Sequence, residues 1–245
     1  MSKQFNNPFI LALKARNLSV EIHHHAAYQL VFSDDLPVES TLDGRRYPSI
    51  HGFLIKPQVV HHCFSEQGTV SIFNIEPYSA IGLKLAEYFD KEQRQIIFYR
   101  PEELSDLLRI DPRGFDSQSV VNRLLSMAPA TTYDERVQTI AEYIHENYHE
   151  TGISPQTCAD KVFLSPSRLG ALFKEQMGSS VSKYLLWTRL RQAIYRALTD
   201  AEANLTTIAH DAGFYDLSQM NKYTYEMFGM PPSAVKDNSD LIQVY

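Results

Sequence analysis

The chain has only two cysteines, Cys63 and Cys158, in 245 residues. That excludes a disulfide framework, and the spacing of the pair matches no zinc site, so a reducing cytoplasm is the expected setting. No stretch approaches the roughly 18 unbroken apolar residues of a membrane span. The apolar run Pro8–Leu13 is too short for a secretory core and meets Lys14 and Arg16 with no small-residue cleavage site behind it. Neither an export signal nor a membrane partner is expected. A surplus of positive charge is also lacking: Lys and Arg number 23 against 29 Asp and Glu, a net charge of -6. Taken over the whole chain, that counts against a nucleic-acid partner. The rest is ordinary globular material, 44% hydrophobic and 21% charged, which excludes a wholly disordered chain. The length suits one or two domains.

The charge is unevenly spread. Between Asp134 and Asp160, six acids face one base, Arg136. Between Lys161 and Arg196, seven bases (Lys161, Arg168, Lys174, Lys183, Arg189, Arg191, Arg196) face one acid, Glu175, a local charge of +6. From Asp200 onward seven acids stand against Lys222 and Lys236. A positive patch thus sits inside an acidic molecule, and by charge alone it is no more than a solvated helix face.

The patterning divides the chain. Ser19–Ile22, Tyr28–Phe32, Gly52–Ile55, Val59–Phe64 and Thr69–Ile75 are short and rich in β-branched or aromatic residues. Turn formers separate them, at Ser33-Asp34-Asp35, Leu42-Asp43-Gly44 and Glu66-Gln67-Gly68. This predicts a small β-barrel or sandwich. Helices are then predicted over Ser79–Asp90, Glu102–Leu108 and Ser117–Met127, with a linker at residues 128–133. Beyond it the chain reads as all helix: Asp134–Tyr148, Gln156–Val162, Ser165–Gln176, Ser180–Leu198, Leu205–Ala212 and Asp216–Phe228. Ser154-Pro155 and Ser165-Pro166 are helix starts, and Gly213 is a left-handed cap.

The helical half contains a repeat. Gln156–Val162 with Ser165–Gln176, and Leu205–Ala212 with Asp216–Phe228, are each a short helix, a tight turn and a polar-capped second helix. Ala159 and Ala209 occupy equivalent places where helices cross. Such a unit presents its second helix to a major groove. The connecting helix Ser180–Leu198 would span roughly 28 Å at ~1.5 Å per residue. Two probes on one face of B-DNA lie about 34 Å apart. Helix-turn-helix geometry also occurs in ordinary helical bundles.

Specific residues carry a resemblance. Leu164-Ser165-Pro166-Ser167-Arg168-Leu169 with Leu172-Phe173-Lys174, then Tyr184-Leu185 with Arg189-Leu190 and Ala193, then Ile208-Ala209, Gly213-Phe214 and Phe228-Gly229-Met230-Pro231-Pro232, resemble in order the DNA-binding domain of the AraC/XylS family of transcription regulators. The resemblance covers about 100 residues, from Val137 to Lys236. It implies double-stranded DNA as partner, with base-facing positions Ser167, Arg168, Gly170 and Ala171 in the first recognition helix and Ser218, Gln219, Asn221 and Lys222 in the second. Arg168 suits guanine, and Gln219 and Asn221 suit adenine; Gly170 and Ala171 offer no hydrogen bond. Lys161, Lys174 and Lys183 are assigned to phosphates. Arg189 matches a linker-helix arginine of the family, in an internal ion pair or on a phosphate. Two departures stand out. Thr224 replaces a usual buried phenylalanine, predicting looser packing of the second recognition helix. The second unit is also acidic, so the first is expected to supply most of the electrostatic affinity.

Six of the nine histidines fall in the strand region: His23, His24, His25, His51, His61 and His62. His23 and His25 share a face of an extended segment. With a later histidine this resembles the metal set of a cupin barrel, but Gln29 stands where a carboxylate is needed, so no metal and no cofactor is expected. The histidines read as hydrogen-bonding pocket or core residues, with pH sensing as a further reading. Phe53-Leu54-Ile55-Lys56-Pro57 and Ile75-Glu76-Pro77-Tyr78-Ser79 resemble the sensor half of AraC-type regulators. His23, His25, Tyr28 and His61 are the candidate effector contacts. Tyr28, Phe53, Phe64 and Phe73 are candidate linings of an apolar pocket.

The expected fold is α+β: a cupin-like β-barrel with helices over residues 1–127, the linker, an all-α double helix-turn-helix domain over 134–236, and a tail at 237–245. By resemblance the chain is a sequence-specific DNA-binding regulator, an activator more often than a repressor. It would be controlled by a small-molecule effector or a homodimer contact, would meet RNA polymerase if it activates, and is not an enzyme. Two alternatives remain open. One is a metal-dependent cupin enzyme with an appended helical domain, resting on His23, His25 and His61. The other is a partner-binding module that has lost DNA affinity.

Overall fold

The computed structural model describes residues 10–33, 35–200 and 202–244, with the backbone alone from residue 238 onward. Its elements in chain order are β1 (Ile10–Arg16), β2 (Tyr28–Ser33), β3 (Val38–Leu42), β4 (Arg45–Ile50), β5 (Gly52–Ile55), β6 (His61–Phe64), β7 (Thr69–Ile75), α1 (Ala80–Ala86), β8 (Gln95–Phe98), α2 (Pro101–Leu108), α3 (Ser117–Leu125), α4 (Glu135–Asn147), α5 (Pro155–Lys161), α6 (Pro166–Met177), α7 (Val181–Thr199), α8 (Leu205–Asp211), α9 (Leu217–Phe228), α10 (Pro232–Asn238) and β9 (Ser239–Val244).

The class is mixed α+β. The strands form a six-stranded sheet of order β8-β5-β2-β7-β1-β9 and a three-stranded sheet of order β4-β3-β6. Every strand pairing is antiparallel. Among the described residues the two sheets do not close into a barrel; isolated bridges at Ser19↔Phe64 and His23↔His61 reach only the β6 edge. Asp43 and Gly44 both adopt positive φ, as a two-residue hairpin turn between β3 and β4 requires. Pro48 falls in β4, an edge strand where a missing N–H is tolerated.

The large sheet is buried on both faces, and strict alternation sorts its side chains. In β1, Ile10 and Ala12 enter a core with α1, α2 and α3, whereas Leu11 and Leu13 enter a core with the C-terminal helices. In β2, Tyr28, Leu30 and Phe32 face α1–α3, and Val31 faces the small sheet. A strand buried on both sides shows no apolar–polar alternation, which is why β1 reads only as an apolar run.

Helix α7 belongs to two cores. Its first turns (Val181, Tyr184, Leu185) pack with α4, α5 and α6. Its later turns (Trp187, Leu190, Ala193, Ile194, Ala197) pack with α8, α9, α10 and β1. Three expectations are corrected. Ser19–Ile22 is no strand, because its backbone is spent on single bridges and on Glu21 N–H donating to Gly229 O at 3.0 Å. Ser79–Asp90 is helical only over Ala80–Ala86. The expected tail contributes β9, which runs antiparallel to β1 from Leu11↔Val244 to Ala15↔Ser239.

Candidate nucleic-acid interface

The two repeated units match at backbone level. In the first, Leu164 N–H donates to Ala159 O at 3.0 Å; in the second, Phe214 N–H donates to Ala209 O at 3.0 Å. Each turn passes through a left-handed residue, Phe163 at φ 54° and Gly213 at φ 83°. Ala159 and Ala209 are fully buried, as close helix crossing demands. Side-chain caps start all four helices. Ser154 accepts from Thr157 N–H, Ser165 from Arg168 N–H, Asn204 from Thr207 N–H and Asp216 from Gln219 N–H. Leu169, Phe173 and Met177 seat α6; Met220, Thr224, Met227 and Phe228 seat α9. Thr224 is fully buried, its Oγ1 donating to Met220 O at 2.8 Å, so the hydroxyl is satisfied within the helix.

The opposite faces are open. On α6, Ser167, Arg168, Ala171 and Lys174 are exposed and Gly170 is half-buried. On α9, Ser218 and Lys222 are exposed and Gln219 and Asn221 half-buried. Among the described residues Arg168 and Lys174 make no side-chain hydrogen bond or ion pair. The other bases of the patch are engaged. Arg191 is buried beside Glu76, with Nε 3.4 Å from Oε2. Arg196 pairs with Asp211. Lys161 lies over the Tyr143 ring at 3.9 Å. The unopposed charge of the +6 segment therefore gathers on α6.

Residues 158–238 match the family model described as a helix-turn-helix domain. The arabinose operon regulatory protein of Escherichia coli is 30% identical over 103 residues, 42% of this chain and 35% of that protein. The match thus spans about a third of that relative's length. The probable transcriptional regulator LumQ of Photobacterium leiognathi is 27% identical over 190 residues, 71% of this chain and 74% of LumQ. Among solved structures, ToxT from Vibrio cholerae aligns over 95% of this chain and 98% of its own, with TM-score 0.63 and 13% identity, a likeness of fold. ToxT has also been solved with an unsaturated fatty acid bound, and that structure aligns with TM-score 0.60 at 11% identity over 99% of this chain and 98% of its own. The matched relatives are transcription regulators, and the likeness is concentrated in the helix-turn-helix region of this chain.

Three sequence assignments find the side chain already engaged. The Lys183 ammonium donates to Gln58 Oε1 at 2.8 Å and lies 3.0 Å from His24 Nε2, so it bridges α7 to the strand region. Two of the three ammonium donors are thus engaged, which leaves one for a phosphate. Gln219 Oε1 accepts from Tyr215 N–H at 2.9 Å, folding the side chain back over the start of α9 instead of outward. Among the described residues Arg189 makes no ion pair, and its side chain is half-buried. Its guanidinium donates to Tyr148 O and Glu150 O, both at 2.7 Å, closing the carbonyl end of α4.

The expected effector residues separate. His23, His25 and His61 are buried and adjacent, with ring centroids 4.0 Å (His23–His61), 5.0 Å (His25–His61) and 6.0 Å (His23–His25) apart. Tyr28 does not join them. The alternation of β2 turns it to the other face, against Phe89, where burial pushes its hydroxyl up to about 12. The four aromatics do not line one pocket either: Phe73 sits with Tyr28, Phe53 lies on the histidine side at 6.3 Å from His61, and Phe64 is exposed. Beside His23 and His61 is a cavity of about 40 Å³, also lined by Gln29, Cys63 and Phe228. Gln29 is spent on Asn74, Nε2 donating to Oδ1 at 3.0 Å.

One buried polar group escaped the sequence reading. Glu76, fully buried just after β7, accepts from Trp187 Nε1–H at 3.1 Å and faces Arg191, both on α7. Burial pushes its carboxyl up to about 7, against the opposing pull of Arg191 and the indole N–H. Its signal in sequence was slight, a single acid between Ile75 and Pro77.

Proposed function

We propose that the chain is a sequence-specific, DNA-binding transcription regulator that reads two neighbouring major grooves with α6 and α9. What carries this is the duplicated turn geometry: two capped helices with the same turn hydrogen bond, both packed on α7. Nineteen residues of α7 span roughly 28 Å, near the ~34 Å between successive grooves. Ser167, Arg168, Gly170, Ala171, Ser218, Asn221 and Lys222 would face bases, with Gln219 joining them on release of Tyr215 N–H, and Lys174 would face phosphate. Lys183, held by Gln58 and His24, would offer phosphate its one remaining donor. Residues 134–236 would form the DNA-binding unit, 128–133 the linker, and 1–127 a sensor or dimerisation unit related to the cupin barrel but open-sheeted. Activation through RNA polymerase, a homodimer contact and a cytoplasmic setting are carried over from the AraC/XylS regulators that the chain resembles. Among the described residues no helix is long and apolar enough to cross a membrane.

Non-enzymatic action is supported by the regulators among the relatives. A small effector is supported by the cavity beside His23. At about 40 Å³ it falls far short of the several hundred Å³ that a drug-sized or fatty ligand of the ToxT kind needs without rearrangement. The test is nuclease footprinting on the region upstream of the chain's own operon. Protection of two adjacent grooves, weakened by Arg168→Ala, is expected. A purified protein that binds no DNA across a genomic library at low salt would overturn the proposal and favour a partner-binding module.

A further inference from the structure

Each of the three buried histidines places Nδ1 beside a backbone carbonyl two positions away. His23 Nδ1 lies 2.8 Å from Glu21 O, His61 Nδ1 2.9 Å from Val59 O, and His25 Nδ1 3.2 Å from Ala27 O. At His23 and His61 this sets the proton on Nδ1 and leaves Nε2 a bare acceptor. The longer His25 contact is shared with Ala27 N–H at 3.3 Å. Carbonyl anchoring of one ring nitrogen is how proteins aim the other at a metal. His25 Nε2 and His61 Nε2 are fully buried and have no hydrogen-bond partner. The backbone locks the set, since His23 N–H donates to His61 O at 2.9 Å and His61 N–H to His23 O at 2.8 Å.

One potential ligand atom from each ring lies within 4.8 Å of the other two. Around a tetrahedral zinc with bonds of about 2.05 Å, ligand nitrogens sit about 3.3 Å apart. Closing that gap takes ring movements on the order of 1 Å. We propose that His23, His25 and His61 form a three-imidazole site for a borderline divalent transition metal, zinc being the reference ion. Three neutral nitrogens and no oxygen ligand suit zinc, copper, nickel or ferrous iron and do not suit magnesium or calcium. The missing carboxylate at Gln29 does not rule the site out, because three histidines and one water make a complete zinc shell. The adjoining cavity of about 40 Å³ has room for such a water.

The position gives the site a consequence for the second DNA-binding unit. Glu21 N–H donates to Gly229 O at 3.0 Å, and His24 N–H to Glu226 O at 3.2 Å. The His25 ring lies 5.2 Å from that of Trp187, which stacks on Phe228 at 5.6 Å. A bound ion would therefore fasten the loop that holds the end of α9. The site stands on its own geometry; only its effect on DNA rests on the regulatory function proposed above.

The test uses the full chain after chelation, with zinc or cobalt(II) as the only added ligand. About one equivalent bound per chain is expected, with the visible absorption of tetrahedral cobalt(II) and a thermal midpoint raised by several degrees. X-ray absorption on wild-type protein should show imidazole nitrogens as the protein ligands, which keeps the test independent of any variant's folding. His25→Gln and His61→Gln should each weaken uptake at least tenfold, and the exposed control His210→Ala should not. Uptake below a tenth of an equivalent, or equal uptake by the control and by a folded His25→Gln/His61→Gln double variant, would sink the proposal. DNA binding measured with and without zinc is a separate readout. Metal bound without any effect on DNA leaves the site standing and removes its regulatory role.

Discussion

The two helix-turn-helix units share one backbone design but place it in different surroundings. Gly213 is pressed against the end of α4: a Cβ there would meet His149 O at 2.8 Å and Tyr148 O at 2.9 Å. Phe163, at the same left-handed step of the first unit, is 96% exposed. The second turn thus demands glycine twice over, for φ and for space, whereas the first demands it only for φ. A phenylalanine held there at a backbone penalty of about 1 kcal/mol is not serving stability. The same division holds for charge. The first unit keeps Arg168 and Lys174 free, while the second is fastened through Glu226 and Gly229 to the strand region. Both units rest on the N-terminal half, the first through side-chain packing on Tyr78 and Pro57 and the second through main-chain hydrogen bonds as well.

The sharpest way to break this comparison is at the paired turns. Gly213→Ala is expected to destabilise by about 3 kcal/mol, read by denaturant unfolding, because backbone crowding adds to the strained φ. A loss below about 1 kcal/mol would show that the α4 contact gives way easily.

Next comes the helix that both units share. Glu76 under α7 is more easily protonated in the fold than in the unfolded chain. Its contribution is therefore full below its ordinary value of 4.5 and is lost as pH rises through about 7. Stability of wild type relative to Glu76→Gln should fall by about 2 kcal/mol between pH 5 and pH 8. The slope matters, not the offset, since the amide also removes the carboxylate that faces Arg191. A flat difference would mean the carboxyl is already ionised at pH 5.

Smaller effects separate the faces. Arg168→Ala should weaken specific DNA binding about tenfold and relax one base preference, whereas Asn221→Ala should change preference more than affinity. Phe163→Gly should raise stability by about 1 kcal/mol; if it lowers DNA affinity as well, the exposed ring belongs to the interface. Finally, Lys174→Ala should reduce the salt dependence of DNA binding by about one counterion, and Lys183→Ala by less. Equal reductions would mean that Lys183 neutralises a phosphate as fully as Lys174 does.

The helical half was legible because its boundaries are written in short-range chemistry. Ser154-Pro155, Ser165-Pro166, Asp216 and Gly213 each mark a helix end without help from distant residues, and α5 to α9 fall within about two residues of expectation. The strand half was legible where one face is polar or turns punctuate, as at β5 and β7. It was not legible at β1, buried on both sides, nor at β9, whose partner lies more than 220 residues away in sequence. The same distance effect hid the engagements of the site residues. Lys183 finds Gln58 and His24 125 and 159 residues away, and Glu76 finds Trp187 111 residues away. His23 and His25 could be paired by spacing, but only the bridge to His61 brings the third ring in.

The pairing of β9 with β1 means that the helical half is inserted between two adjacent strands of one sheet. A shortened version ending before Ser239 would leave the flank of β1 bare, a row of unpaired amides and carbonyls along an apolar strand. Such a truncated chain should self-associate by zipping that flank onto another molecule, so aggregation on trimming would be a property of the cut and no sign of a natural dimer.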